Sequence, residues 1–211
     1  MALRRLFCLS FFTLALLCTS MANARDFDEG IEYQLITPPQ PTQAPAGKIE
    51  VVEMFWYGCP HCFHFEPDIK KWLKKQGDNV HFIRIPATFN ALWKFHARAF
   101  YTASVLGAEV QIHEPLFKRI HVQKKMPRNE KQMRQFFVQH GVKGQTFDEV
   151  FHSFAVDAKV RRAEELTQRY GIDGVPSMIV NGRYRVDAKS ANTQKGMLEV
   201  VSFLIQQESK K

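Results

Sequence analysis

The 211-residue chain predicts an α/β fold in which a block of helices interrupts an otherwise mixed strand-and-helix core. Three observations carry this expectation. Residues 49–57, 80–86 and 176–180 are short apolar runs, rich in β-branched and aromatic residues, of strand length. Residues 90–107, 129–140 and 147–170 instead repeat their apolar side chains at helical spacing. Cys59-Pro60-His61-Cys62 stands where the first long strand gives way to a helix.

Residues 1–24 read as a cleaved signal peptide. Arg4 and Arg5 supply the charged start, residues 6–17 are apolar but too short to span a bilayer, and Ala22-Asn23-Ala24 is a small-x-small cleavage pattern. A buried N-terminal helix is the alternative. Lipid anchoring through Cys18 is disfavoured by the bulky Leu17 before it. Cleavage after Ala24 removes Cys8 and Cys18 and leaves a single cysteine pair. It also leaves 27 bases against 21 acids, spread along the chain as solvated helix faces, so no nucleic-acid role is expected.

Residues 25–47 form an N-terminal segment and linker: 31–36 suits a short edge strand, and 37–47 carries Pro38, Pro39, Pro41 and Pro45. The strand at 49–57 follows, then a helix over 63–75, with Pro60 in its first turn and Pro67 placed to kink it. Residues 80–86 give the next strand. Helices follow at 90–107 and at 129–140, the latter stopped by Gly141. A further helix is expected behind a capping box of Thr146 and Glu149, and another capped by Asp157 and stopped at Gly171. The strand at 176–180 turns through Asn181-Gly182, a strong hairpin signal, into 183–186, and 193–207 closes the chain as an amphipathic helix. The order is that of thioredoxin with helices set into it. Residues 48–88 and 157–211 would form the thioredoxin-like domain and 89–156 the helical insertion.

The chemistry rests on Cys59 and Cys62. Haem attachment needs a histidine where Phe63 stands, and structural zinc needs further ligands beyond His61 and His64, so no metal and no cofactor are expected. An inert bridge across two residues constrains the unfolded chain little. A redox-active dithiol remains. Cys59, at a helix start, gains from the helix dipole and free N–H groups and is the expected nucleophile. Cys62, one turn in, is the expected resolving thiol. His61 adds a donor or a positive charge to the first turn. A stabilised Cys59 thiolate favours the reduced protein, so the disulfide is passed on to substrates. Glu53, an acid inside an apolar strand, can exchange a proton with Cys62, pair with a base such as Arg84, or do both. A cis Val175-Pro176 bond would bring the start of a strand against Cys59 and leave backbone groups for an extended substrate.

Cys59-Pro60-His61-Cys62 preceded by Glu53, with Gly174-Val175-Pro176-Ser177-Met178-Ile179-Val180-Asn181-Gly182-Arg183-Tyr184 downstream, resembles the DsbA family of periplasmic thiol:disulfide oxidoreductases, members of the thioredoxin superfamily. The stretches 136–144 and 147–156 resemble its helical region. The resemblance implies an exposed Cys59 nucleophile and a cis Pro176. It implies that the protein acts as a monomer on unfolded secreted cysteine-containing proteins and is reoxidised by a DsbB-like, quinone-linked membrane oxidase. Two positions depart from the family pattern: Gly58 replaces an aromatic residue before the first cysteine, and Arg84 stands where lysine is common. The alternatives are a disulfide isomerase or reductase, or a non-catalytic peptide-binding chaperone on the same fold. Only about two dozen residues precede the first core strand, too few for the N-terminal dimerisation domain of the known isomerases.

Overall fold

The computed structural model describes residues 26–210. The leader assigned to residues 1–24 lies outside the described residues. The chain runs β1 (Gln34–Leu35), β2 (Ile49–Phe55), α1 (Pro60–Leu73), β3 (Val80–Pro86), α2 (Ala91–Val105), α3 (Glu109–His121), α4 (Glu130–Gln139), α5 (Gly144–Phe151), α6 (Phe154–Arg169), β4 (Ser177–Val180), β5 (Tyr184–Asp187) and α7 (Gln194–Glu208).

The strands form one mixed sheet in the order β1-β5-β4-β2-β3. The β2 strand is buried at every position and sits between β3, parallel to it, and β4, antiparallel. Two apolar clusters cover the two faces. Ile49 and Val51 pack with Phe65, Ile69 and Trp72 of α1 and with Val201 and Leu204 of α7. Val52 and Met54, pointing the other way, pack with Phe100, Phe117, Phe136, Phe147 and other side chains of the helical block. By the same alternation Glu53 falls on the α1 side. This thioredoxin-type sheet with helices inserted between β3 and β4 is the expected fold class.

Several details differ from the sequence reading. Trp56 and Tyr57 leave the sheet rather than extending β2. The edge strand shrinks to two residues. Helix α3 is an element the sequence reading does not place: Pro115 lies inside it, yet Ile112, Leu116, Phe117 and Ile120 form its buried stripe. The capping box at Thr146 and Glu149 does not form. Helix α5 begins three residues earlier, with Lys143 at its N-cap making no side-chain cap, and its Phe147 and Phe151 stack into the ring cluster with Phe137. Ser153, not Asp157, caps α6 through a bond from the Val156 N–H; Asp157, in the first turn, pairs with Arg98. At the Asn181-Gly182 turn both residues take positive φ, and a Cβ on Gly182 would lie 2.1 Å from the Gln40 carbonyl oxygen, so glycine is required there.

Candidate active site at the first helix

The Cys59 sulfur occupies the N-cap of α1. Its extended backbone (φ −83°, ψ 116°) turns the side chain back over the first turn, where Sγ accepts the Cys62 N–H at 3.3 Å. A thiolate there takes the place of the oxygen that normally caps a helix. Pro60 sits at the first helical position, where its missing N–H costs nothing.

The two sulfurs are pushed in opposite directions. Cys59 is lowered from 9.0 to about 6: hydrogen bonding from the Cys62 thiol contributes most, burial opposes it, and the backbone N–H groups of Cys62 and His61 and the His61 charge add to the lowering. Burial pushes Cys62 well above its ordinary value, and its bond to Cys59 and the nearby Glu53 carboxylate push the same way. Both are free thiols in this structure. The resemblance implied an exposed Cys59, and here the structure differs. The residue is only 7% exposed, against 0% for Cys62, because the loop before β4 closes over it. The Cys59 thiol donates to the Val175 carbonyl at 3.4 Å, across 116 positions of sequence. The Val175–Pro176 bond is cis. His61 is exposed, and its carbonyl accepts a bond from the Gln194 side chain at 2.6 Å.

Behind the cysteines lies a buried charged cluster. Glu53 and Arg84 are register partners on β2 and β3, and Arg84 Nε donates to Glu53 Oε2 at 2.9 Å. Glu53 is fully buried, its Oε1 has no partner among the described residues, and burial raises its pKa to about 8 against the opposing pull of Arg84. The Arg84 guanidinium also reaches Glu66 on α1 at 3.1 Å. Glu66 bonds His113 on α3 at 3.1 Å, and His113 Nδ1 lies 3.1 Å from the Tyr57 hydroxyl. Sequence reasoning missed Glu66, His113 and Tyr57. The available signal was an acid on the apolar stripe of a helix: Glu66 follows Cys62 by four residues and precedes Ile69 by three. Among the described residues no three His, Cys, Asp or Glu side chains converge as for a metal ion.

A family model described as a DSBA-like thioredoxin domain matches residues 83–199. The thiol:disulfide interchange protein DsbA of Pseudomonas aeruginosa is 38% identical over 206 residues, 98% of this chain and 97% of its own. The chain belongs to the DsbA family. A crystal structure of Pseudomonas aeruginosa DsbA superposes with a TM-score of 0.82 at 39% identity, covering 88% of this chain and 97% of that one. A Proteus DsbA, solved with a non-covalently bound peptide PWATCDS, superposes with a TM-score of 0.73 at 28% identity, covering 89% of this chain and 100% of its own. The chain is thus a thiol:disulfide oxidoreductase of the DsbA family.

The two departures from the DsbA pattern have structural partners. A Cβ on Gly58 would lie 2.3 Å from the Trp56 indole, which lies across that position. That indole stacks on Trp93 with centroids 4.2 Å apart and donates to His96 at 3.1 Å. Arg84 uses its two-pronged guanidinium to hold Glu53 and Glu66 at once, which a lysine ammonium has no planar fork to copy.

Proposed function

We propose that this chain is an exported, periplasmic dithiol oxidase that gives its Cys59–Cys62 disulfide to newly translocated, unfolded proteins through a mixed disulfide. The observation that carries the reading is the opposite displacement of the two thiols, Cys59 down and Cys62 up. A substrate thiolate attacks Cys59 Sγ, and Cys62 leaves with the electron pair. Because Cys62 holds protons tightly, it is protonated at once, and Glu53 is the acid beside it. A second substrate thiolate then attacks the substrate sulfur of the mixed disulfide. Cys59 leaves as a stable thiolate, a good leaving group. The substrate has lost two electrons and the protein has gained them.

The Val175–Pro176 loop supports the same reading. The Val175 carbonyl, which accepts a hydrogen bond from the Cys59 thiol, is a backbone acceptor beside the nucleophile, available to an extended substrate strand once Cys59 is bonded elsewhere. The cysteine-containing peptide held by the Proteus relative fits such a client class. Return to the disulfide falls to a DsbB-like, quinone-linked membrane oxidase. Export is assigned to the leader; among the described residues no helix is long and apolar enough to cross a membrane.

Mixing the oxidised protein with a reduced, unfolded, cysteine-rich protein tests the reading. Net formation of client disulfides is expected, with stable adducts through Cys59 in a Cys62→Ser variant. Disulfide removal would make the protein a reductase, and reshuffling without net oxidation an isomerase. Full activity in a Cys59→Ser, Cys62→Ser variant would make it a chaperone.

A further inference from the structure

The proton that Cys62 needs has to come from somewhere, and neither Cys62 nor Glu53 touches solvent. The buried cluster meets water elsewhere. A groove of about 590 Å³ runs beside the edge strand β3, and Glu66, Arg84 and His113 line it while Glu53 does not. Arginine does not give up its proton, so Arg84 blocks a hopping path from the groove to Glu53. It leaves an electrostatic one.

The charges in the cluster are few. With Glu53 protonated and His113 neutral, the Glu66 carboxylate and the Arg84 guanidinium cancel. Once Glu53 gives its proton to Cys62, the cluster carries one uncompensated negative charge in a buried site, a costly state. One more proton on His113 restores neutrality.

The surroundings of His113 fit that task. Its Nε2 lies 3.1 Å from Glu66 Oε1 and donates there in either protonation state. Its Nδ1 faces the Tyr57 hydroxyl at 3.1 Å. A hydroxyl donates to the neutral ring and accepts from the charged one by rotating its hydrogen, so neither state breaks a bond. The groups facing the ring are Glu66 and Lys70 from α1, Arg84 from β3 and Tyr57 after β2, with Phe55 and Phe100 packing as uncharged walls. Glu109 and Glu114 of its own helix line the same groove. Burial first, then Arg84 and Lys70, hold the ring neutral at rest, against the pull of Glu66.

We propose that His113 is the positioning residue of the proton step: as Glu53 passes its proton to Cys62, His113 takes one from the groove and holds the buried cluster neutral until Glu53 is reprotonated. This rests on the reading of Glu53 as the acid for Cys62. His113 thus borrows a proton from the groove during reduction and gives it back when Glu53 is reprotonated.

The test uses His113→Gln, which keeps an N–H for Glu66 and an oxygen for Tyr57 but cannot titrate. The readouts are the rate at which a thiol peptide reduces the oxidised protein from pH 5.5 to 8.5, and the Glu53 titration followed by carboxyl NMR. Coupling between two sites in a protein is typically about fivefold or more, so His113→Gln should slow reduction near neutral pH by about fivefold or more. It should also flatten one inflection of the pH profile and move the Glu53 midpoint upward, with the melting temperature little changed. An unchanged profile and an unmoved Glu53 midpoint would overturn the role of His113. Glu53→Gln separates the two claims: if it leaves the rate and its pH profile intact, the reading of Glu53 itself fails. If Glu53→Gln slows the reaction and His113→Gln does not, only the inference about His113 falls.

Discussion

The relative stability of the reduced and oxidised forms should depend on pH through Cys59. The fold lowers that thiol from 9.0 to about 6. Its folded-state value is depressed, so the stabilisation is complete above the unfolded value and is lost as pH falls through about 6. Those two values give a gain in the reduced form of close to zero at pH 5, about 1.4 kcal/mol at pH 7 and about 3 kcal/mol at pH 8.5, below the range in which ionisation of the unfolded Cys62 offsets it. The disulfide acts against this by closing the Cys59–Cys62 loop in the unfolded chain, worth about 2 kcal/mol in the chain-entropy model, and that contribution does not titrate. The oxidised form should therefore melt higher in mild acid and the reduced form in mild base, crossing at about pH 7 to 8. For a domain of this size the 1.4 kcal/mol gained by pH 7 is about 3 to 6 °C. It also makes the couple about 30 mV more oxidising. Denaturant melts of both forms at pH 5, 7 and 8.5 provide the assay. A stability difference that stays flat with pH, or that favours the oxidised form increasingly towards high pH, would refute the assignment of a stabilised Cys59 thiolate.

Three other outcomes follow from the site. His61→Ser should raise the Cys59 pKa only in part, since contacts from Cys62 outrank the His61 charge; a full return to the free-thiol value in an absorbance titration would reverse that ranking. Gly58→Ala should push the Trp56 indole off Trp93 and cost about 1 to 3 kcal/mol, read as a lower melting temperature and altered tryptophan emission. An unperturbed spectrum would show that the close approach is relieved cheaply. For Glu53 the folded pKa is raised to about 8, so its contribution to stability is present below its unfolded value and is lost as pH rises through 8. Glu53→Gln should thus gain on the wild type as pH climbs from 5 to 8, reaching a few kcal/mol. Equal pH dependence in the two proteins would mean that Glu53 stays ionised beside Arg84.

Much of this site lay open in the sequence, because its parts are local. A cysteine pair after a strand and before a helix fixes an N-cap, and Asn181-Gly182 fixes a hairpin. Glu53 and Arg84 come together because two parallel strands each place one charged side chain at the same level of the sheet. What stayed hidden depends on distant packing. The cover over Cys59 comes from Val175, more than a hundred residues away, so no local pattern shows that the nucleophile is mostly buried. Glu66 and His113 look like ordinary helix residues until α1 and α3 are laid side by side. Helix α3 persists through Pro115 because Ile112, Leu116 and Phe117 are buried along one side, a packing effect that lies outside its local sequence. The reason for Gly58 lies in the path of an indole two residues earlier, which spacing alone does not reveal.

The central claim is that this fold holds Cys59 as a thiolate while keeping Cys62 protonated. Thiolate absorbance of the reduced protein, followed from pH 3 to 10 and compared with Cys59→Ser and Cys62→Ser variants, tests it most directly. The account predicts a single thiolate forming with a midpoint of about 6, lost in Cys59→Ser, with the second thiol silent throughout the neutral range. A midpoint near the free-thiol value, or a low midpoint that survives in Cys59→Ser and vanishes in Cys62→Ser, would contradict it.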